Sequence, residues 1–470
     1  MTAQQHTQLA RYIPASISLI LLITFAVASY SVWHTAILPA KYLWLGLLLA
    51  GSVAALLSYI CLWRWPKHLM RRGFLLLLTL AYLTAGAYTT LLARSAAGFL
   101  HASQVSPSDS ISYVLVTSAA KPQSDFSEVG FMRDDTLTDK AFGAFMFKPA
   151  PMHTAAPELT TLLVRVVDEG MPGAILRSAQ LRIVQDNNPS LFSELRVIRT
   201  VTVTQQAALQ TSQIKPGEPF VLYISGIDTY GDVSTVSRSD VNILAAVNPR
   251  THKIVLVNTP RDYYVQLHGT TGLRDKLTHA GIYGIDMSRQ TLEDLYGIPI
   301  DHYVRINFTS LTRTIDTLGG VDVQSPYDFS VGSYDYTTGS NHLGGDAALA
   351  FARERHSFEE GDRVRGQNQQ RVIEAIIAKL NNPRNLLSFQ QVLGSVEGSF
   401  ETSIAPENSA SLIRAQLNDM HAWSVQSLSV NGTGDSQPTY SMGDLLLYVM
   451  QPNESSIANA QTALREILQP

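Results

Sequence analysis

The sequence predicts a membrane-anchored α/β protein, in which three N-terminal spanning helices precede a small α+β segment and an α/β sandwich whose central sheet is flanked by helices. Three observations lead to this prediction. Long apolar runs fill the first 94 residues. After residue 214, short runs rich in Val, Ile and Leu alternate with helical patterns, which is typical of a sheet covered on both faces. A turn-rich stretch, Lys215 to Pro219, precedes this alternating region.

The N-terminal runs are each long enough to cross a bilayer. Tyr12–Trp33, Tyr42–Trp63 and Gly73–Leu92 contain no Asp, Glu, Lys or Arg, and a spanning helix needs about 20 apolar residues. Charged residues make up 16% of the 470 residues, against about 25% in an average globular protein. We therefore expect residues 1–94 to form three membrane spans rather than three buried helices.

The flanking charges predict the orientation of these spans. Lys41 is the only Lys or Arg in the loop between the first two spans. The loop between the second and third spans contains Arg64, Lys67, Arg71 and Arg72. Because positive loops stay in the cytoplasm, we expect a cytoplasmic N-terminus and an extracellular chain beyond about Arg94. The cytoplasmic pieces are then too short for a DNA-binding domain, so nucleic acid is not an expected partner.

The extracellular part divides by composition. Residues 95–110, rich in Ala, Ser and Gly, are expected as a linker. Residues 111–213 contain strand-like runs without a catalytic constellation and are expected as an accessory α+β domain. Residues 214–470 are expected as the catalytic domain. Asp134 and Asp135 are interpreted as solvated loop residues rather than metal ligands.

Acidic and basic residues lie at the ends of three predicted strands. Asp228 and Arg261 follow their strands, where ligands bind in an open α/β sheet. Arg238 and Asp240 precede their strand, so only an antiparallel strand would bring them to the same edge. An isolated Arg–Asp pair at a strand end is commonly structural, but several converging pairs favour a binding site.

The stretch from residue 353 to 371 contains five arginines and four carboxylates. Arg353 and Arg355, two residues apart, end one predicted helix. Residues at i, i+3 and i+7 of the next predicted helix share one face: Asp362, Arg365 and Gln369. The simplest alternative is a solvated helix surface with ion pairs. The near balance of charge instead favours a small, dense anion, since guanidinium groups hold phosphate oxygens in pairs.

The combined residues fit a pyrophosphate site. Arginines would bind the phosphates, and Asp228 and Asp240 could supply carboxylates to Mg²⁺, which usually takes one or two of them plus phosphate oxygens. An aspartate or the metal could activate an attacking hydroxyl; the residues leave this open. His279 is interpreted as a packed or capping histidine rather than a base.

Five blocks in this order resemble the LytR-CpsA-Psr family: VSRSDVNILAAVNP, NTPRD, DKLTHAGIYG, LGGVDV and a final RxR with DxxRxxxQ. The resemblance covers roughly Phe220 to Leu380, and the three spans with the intervening segment are similar to the streptococcal capsule-type member. It implies an α/β fold with a hydrophobic pocket for a polyprenyl chain. It also implies a phosphotransferase of the Gram-positive envelope that moves a glycopolymer, capsular or teichoic, from undecaprenyl pyrophosphate to peptidoglycan, with Mg²⁺ at the pyrophosphate.

The resemblance also implies residue roles. The pyrophosphate would be held by Arg238, Arg261, Arg353, Arg355 and Arg365. Asp228 and Asp240 would hold Mg²⁺, Asp362 would orient arginines, and Gln369 would donate to a phosphate oxygen. Arg363 does not match the motif and is expected to face solvent.

Two alternatives use the same residues. A polyprenyl-pyrophosphate hydrolase would take water as the acceptor, and such pyrophosphatase activity is also expected as a side reaction of the transferase. A non-catalytic regulator of envelope biosynthesis would bind the carrier without turnover. Expected partners are the lipid-linked polymer, peptidoglycan, the membrane and capsule-assembly proteins.

Overall fold

The computed structural model describes the chain except for residues 1–2, 36, 103–107, 123–124, 134, 207–213, 216, 231–232, 360, 381–399, 420 and 470. For residues 3–11, 96–102, 108–109, 362 and 406 it describes the backbone but not the side chains. The described residues form two compact units, which are treated separately. The first comprises Met1–Ala102 with Pro406–His421, and the second comprises the rest of the described chain.

The first unit contains helices α1 (Ala3–Thr35), α2 (Ala40–Trp63) and α3 (Leu69–Ala102). All three are long and apolar enough to cross a membrane, by length and composition. α1 packs against both α2 and α3, and the helix Pro406–Asp419 packs against α3. Lys41, in the first turn of α2, donates to the carbonyl oxygen of Asn418 at 2.6 Å. α3 extends to Ala102, into the stretch expected as a linker, and the domain boundaries stay a prediction.

The second unit begins with a five-stranded sheet of order β3-β2-β4-β1-β5. Its elements are β1 (Ser108–Ser118), β2 (Glu128–Met132), α4 (Thr138–Phe145), β3 (Met152–Ala156), α5 (Leu159–Val167), β4 (Gly173–Arg177), α6 (Ser178–Asn187), α7 (Pro189–Ser193) and β5 (Leu195–Gln206). Alternate residues of β1 face opposite sides: Tyr113 and Leu115 pack with α4, whereas Val114 and Val116 pack with α5 and α6. This sheet is therefore covered on both faces.

The larger sheet has the order β16-β11-β6-β7-β8-β17. The chain from Phe220 to Thr317 forms, in order, β6 (Phe220–Ile227), β7 (Ser239–Asn248), β8 (Lys253–Asn258), β9 (Tyr264–Val265), β10 (Asp275–Lys276), α8 (Leu277–Ala280), α9 (Ile285–Tyr296), β11 (His302–Ile306) and α10 (Phe308–Thr317). Of these strands, β6, β7, β8 and β11 belong to the larger sheet, whereas β9 pairs with β10. The segment from Asp275 to Tyr283 is not one continuous helix, since β10 and a 3₁₀ turn (Gly281–Tyr283) flank the single turn of α8.

The remaining elements complete the sheet and its covering. They are β12 (Val321–Ser325), β13 (Phe329–Val331), β14 (Tyr334–Tyr336), β15 (Gly339–Leu343), α11 (Gly345–Arg353), α12 (Asp362–Leu380), β16 (Phe400–Thr402), α13 (Pro406–Asp419), β17 (Ser424–Ser429), β18 (Gly432–Thr439), β19 (Gly443–Pro452) and α14 (Glu454–Leu468). Leu244 and Val257 face the core built with α9 and α14, whereas Ile243 and Leu256 face α12. Helices thus cover both faces, which confirms the predicted α/β sandwich.

One hydrophobic cluster joins the accessory segment to residues near the larger sheet. Ile183 and Val184 of α6 pack in one cluster with Ile282, Met442 and Leu447 from the part of the chain around the larger sheet. All five are at most 2% exposed. The accessory segment therefore packs directly against the segment that carries the predicted site.

The interpretation of Asp135 as a solvated loop residue is wrong. Its carboxylate accepts two hydrogen bonds from Arg177, from Nε and Nη2, both at 2.9 Å, and one from the hydroxyl of Tyr113. The remaining Nη1 of Arg177 donates to the carbonyl of Ile282 at 2.7 Å. Local sequence did not show these partners, because they come from distant parts of the chain. Asp134 lies outside the described residues.

Candidate functional site

The strand directions bring the predicted residues to one edge of the larger sheet. β6, β8 and β11 run parallel to one another, and β7 runs antiparallel between β6 and β8. The carboxyl ends of β6 and β8 therefore lie beside the start of β7. Because β7 is antiparallel, Arg238 and Asp240 at its start lie at the same edge as Asp228 and Arg261.

Asp228 and Arg238 form the first ion pair of this edge. Arg238 Nη2 donates to Asp228 Oδ2 at 2.7 Å, and the Ser237 hydroxyl donates to the other carboxylate oxygen at 2.9 Å. Burial raises the pKa of Asp228, but the nearby Arg238 outweighs burial and holds that pKa below its usual value. Asp228 is therefore an ionised carboxylate at neutral pH.

Asp240 and Arg261 form the second pair. Arg261 Nη1 donates to Asp240 Oδ2 at 2.8 Å, and Thr278 of α8 donates to Oδ1 at 3.1 Å. A β-bulge lies here, since Ile227 pairs with Ser239 whereas Gly226 pairs with Val241. Such a bulge changes the direction in which side chains point.

Asp262 provides a third carboxylate next to this pair, and three cationic side chains lie near it. Asp262 is 6% exposed, and the ammonium of Lys276 lies 2.5 Å from its Oδ1, with Arg261 Nε 3.6 Å from Oδ2. Burial raises the pKa of Asp262, but Lys276, Arg261 and Arg365 together lower it below its usual value. Asp262 thus concentrates three cations in one small region.

The predicted residues of α11 and α12 reach the same place. Arg353, Arg355, Arg365 and Gln369 line one cavity with the residues of the strand ends. Arg353 lies over the ring of Phe308, 4.4 Å from its centroid. Asp362 begins α12, but its side chain is outside the described residues, so its role stays a prediction.

Arg363 is exposed, as expected for a residue that does not match the motif. Arg365, two positions further along α12, is only 9% exposed. α12 approaches β8 closely at Gly366, where an added Cβ would lie 2.2 Å from the Asn258 amide nitrogen. This close contact fixes the helix face that carries Arg365.

The cavity has a volume of about 750 Å³ and two kinds of wall. Its charged and polar residues include Asp228, Arg238, Asp240, Arg261, Lys276, Thr278, Arg353, Arg355, His356, Arg365 and Gln369. Its apolar residues include Ile227, Val241, Ile306, Phe308, Leu311, Leu349, Ala352, Val372 and Ile373. The cavity can therefore accept a ligand that is a dense anion at one end and a hydrocarbon at the other.

His279 also lines this cavity, although it is 2% exposed. Its Nδ1 lies 2.7 Å from Asp275 Oδ1 and 2.9 Å from the Ser441 hydroxyl. The imidazole is therefore buried and held from one side, as expected of a packed histidine.

Three of the cavity residues that sequence reasoning missed are Lys276, Asp186 and Asn187. Lys276 lies in the block DKLTHAG. A lysine in that block could have been predicted as a further cation of the site. Asp186 and Asn187 end α6 and come from the accessory segment. No motif marks them, because their position depends on how that segment packs.

The carboxylates of Asp228 and Asp240 could supply some of the oxygen ligands of a magnesium ion. Asp228 and Asp240 line the same cavity, and each carboxylate oxygen has one described hydrogen-bond donor. An oxygen that accepts one bond keeps a second lone pair for a cation. Two carboxylates with phosphate oxygens match the ligands that Mg²⁺ prefers, so Asp228 and Asp240 are the residues that would hold it.

Part of this chain is similar in sequence to proteins of known name. The chain is 35% identical over 210 residues to the polyisoprenyl-teichoic acid–peptidoglycan teichoic acid transferase TagU of Enterococcus faecalis, which covers 44% of this chain and 69% of that protein. It is 32% identical over 200 residues to TagU of Bacillus mycoides, with 42% and 65% covered. The chain thus spans about two thirds of the length of these relatives.

Among solved structures, B. subtilis TagV is 28% identical, covers 54% of this chain and 99% of its own, and superposes with a TM-score of 0.46. The model of the LytR_cpsA_psr family matches residues 193–466, which is more than half of the chain and includes every predicted site residue. The chain therefore belongs to the LytR_cpsA_psr family.

Proposed function

We propose that this protein is a membrane-anchored phosphotransferase that moves a glycopolymer from a polyprenyl pyrophosphate carrier to peptidoglycan outside the membrane. One observation carries the proposal: a single cavity combines five arginines and a lysine with an apolar wall. The named activity of the TagU relatives, transfer of teichoic acid from a polyisoprenyl carrier to peptidoglycan, supports the same reaction class.

The cationic wall suits a pyrophosphate. Arg238 and Arg261 are held by Asp228 and Asp240, so their remaining N–H groups are fixed in direction. Arg353, Arg355 and Arg365 face the same cavity. Fixed donors stabilise charge that develops at phosphorus without reorganising during the reaction.

The apolar wall suits the polyprenyl chain. β11, α10, α11 and α12 supply Ile306, Phe308, Leu311, Leu349 and Val372 to it. Each buried methylene contributes about 0.8 kcal/mol, so a long isoprenoid chain would bind strongly. We infer an undecaprenyl chain as the carrier, as in the resemblance that the sequence suggested.

In the proposed reaction, a muramic-acid hydroxyl oxygen of peptidoglycan attacks the phosphorus that carries the polymer. An O–P bond forms, the bridging P–O bond breaks, and polyprenyl phosphate leaves with the bond's electrons. The hydroxyl proton passes to a base in the cavity. The product is a phosphodiester between polymer and peptidoglycan, and the arginines offset the charge on the leaving phosphate.

Magnesium would be held by Asp228 and Asp240. When bound, it would neutralise phosphate charge and polarise a phosphoryl oxygen. Asp228 is suited to this role because its lowered pKa keeps the carboxylate ionised at neutral pH.

The three apolar N-terminal helices support the location. A polymer assembled on a membrane lipid must be ligated outside and near the bilayer. With a cytoplasmic N-terminus, three spans would place the catalytic residues there. A capsular polysaccharide is the polymer that the three-span architecture favours, and capsule-assembly proteins are proposed as further partners.

The test uses the full chain in nanodiscs with a lipid-linked polymer and peptidoglycan. We expect Arg365→Ala to lower transfer by a factor of about 100 or more, since removal of one donor to a developing phosphate charge has effects of this size. Arg363→Ala is the matched control, because Arg363 is exposed two positions away on the same helix.

Mass spectrometry of lipid that copurifies with the wild type gives an independent readout, with polyprenyl phosphate or pyrophosphate expected. Transfer by Arg365→Ala at the wild-type rate would refute the site. Release of polyprenyl monophosphate with no polymer on peptidoglycan would refute the transferase and favour a hydrolase.

A further inference from the structure

One wall of the cavity comes from outside the family-matched region. α6 precedes residue 193, where the family match begins. Its last two residues, Asp186 and Asn187, nevertheless line the cavity. The accessory segment therefore contributes directly to the site.

Asp186 contacts a residue at the centre of the proposed pyrophosphate site. Its Oδ2 accepts a hydrogen bond from Arg238 Nη1 at 2.6 Å, while Arg238 Nη2 donates to Asp228 at 2.7 Å. The Asp186 side chain is 51% exposed, against 16% for Arg238. Asp186 thus lies at the mouth of the cavity, between Arg238 and solvent.

A second residue of α6 acts on the site through charge. Arg182, one helical turn before Asp186, lies close enough to Asp228 for an electrostatic attraction between the two side chains. Contact and charge both indicate that the polar face of α6 is part of the site's surroundings.

α6 is held in place at its start and along its length. Arg177 precedes the helix, and its Nη1 donates to the carbonyl of Ile282 at 2.7 Å. Ile183 and Val184 are fully buried in the cluster with Ile282. The last turn is therefore held in position before a ligand binds, which reduces the entropic cost of binding.

The chemistry of this turn suits a sugar. A carboxylate accepts from two hydroxyls, and a primary amide both donates and accepts. The apolar residues of the cavity named above come from the elements β6, β7, β11, α10, α11 and α12, so α6 borders the polar part of the cavity. If Arg238 binds the pyrophosphate, the group attached to that pyrophosphate would lie beside Asp186 and Asn187.

We propose that Asp186 and Asn187 recognise the first sugar of the lipid-linked donor, so that the accessory segment sets donor specificity. This inference rests on the proposed function and names a specificity determinant for it. Asp186 also orients Arg238, and the experiment separates the two roles.

The experiment measures binding by the full chain in nanodiscs of two probes, undecaprenyl diphosphate and undecaprenyl diphosphate-N-acetylglucosamine. We expect the wild type to bind the sugar-bearing probe more tightly. Asp186→Asn with Asn187→Ala should weaken binding of the sugar-bearing probe about tenfold, the effect of losing one or two hydrogen bonds. Binding of the bare diphosphate should weaken less, because an amide oxygen at position 186 can still accept the hydrogen bond from Arg238. Gln185→Ala, exposed on the same turn and absent from the cavity wall, is the matched control.

Each result decides the inference. Equal weakening for both probes would show that Asp186 only positions Arg238 and would overturn sugar recognition. Unchanged binding of both probes by the double variant would overturn it too. Failure of the wild type to bind either probe would refute the proposed function itself, and recognition of the sugar with it.

Discussion

Two Arg–Asp pairs of the second unit have nearly the same N···O distance and different surroundings. Arg177 and Asp135 lie 2.9 Å apart, with side chains 6% and 9% exposed. Arg261 and Asp240 lie 2.8 Å apart, with side chains 17% and 19% exposed. The first pair is closed by the Tyr113 hydroxyl and the Ile282 carbonyl, whereas the second faces the cavity.

The difference shows what makes an ion pair available for binding. When one residue of a closed, buried pair is replaced, the other stays as a buried charge without a counter-charge. The fold is then strongly destabilised. A pair that borders a cavity keeps donors directed at a ligand, and water can solvate either partner when the other is removed. The N···O distance alone does not separate these cases.

The largest expected effect concerns the closed pair. Arg177→Met leaves Asp135 buried without its counter-charge and should lower the free energy of unfolding by about 3–5 kcal/mol. Arg177→Met with Asp135→Leu should recover most of that loss, because no charge stays buried. Urea unfolding of the full chain in detergent, followed by circular dichroism, measures both. A double variant no more stable than the single one would contradict this account.

Acid should weaken the same pair. Burial raises the pKa of Asp135, but Arg177 outweighs it and the pKa lies below its usual value. A lowered carboxyl pKa stabilises the fold above the unfolded pKa of about 3.9. That stability is lost as pH falls through the folded value. Below about pH 4 the wild type should therefore lose stability more steeply than the Arg177→Met, Asp135→Leu variant. Parallel curves in unfolding measured across pH 2–6 would refute this linkage.

The smallest effect on stability is expected at the open pair. Arg261→Met leaves Asp240 beside a solvated cavity, so the unfolding free energy should fall by only about 1 kcal/mol. Transfer of polymer should nevertheless fall about 100-fold. Unfolding and transfer assays on the same preparation check both values. A loss of stability as large as that of Arg177→Met would erase the distinction between the pairs.

Sequence reasoning located most of the site, because strand ends and helix faces follow simple rules. The i, i+4 relation of Arg365 and Gln369 places both on one helix face, and both line the cavity. Asp228 and Arg261 were expected at strand ends, and Arg238 and Asp240 required one antiparallel strand, which β7 provides.

The remainder depends on contacts between distant parts of the chain. Asp135 is buried together with its partner Arg177, which lies 42 positions away in the sequence. The spacing of apolar residues along the chain does not predict this contact. Asp186 reaches Arg238 over 52 positions through the packing of one sheet on another. Propensity and spacing describe local structure, so neither could be inferred from sequence.

The bulge at the start of β7 has a consequence for how the chain tolerates insertions and deletions. Side chains of a strand alternate, so shifting the strand by one residue exchanges its two faces. Loss of one residue here would remove the bulge and turn either Arg238 or Asp240 away from its partner. The loop before the bulge can change in length without this effect. A one-residue deletion at the bulge should therefore damage the site more than a substitution in that loop of a residue that does not line the cavity.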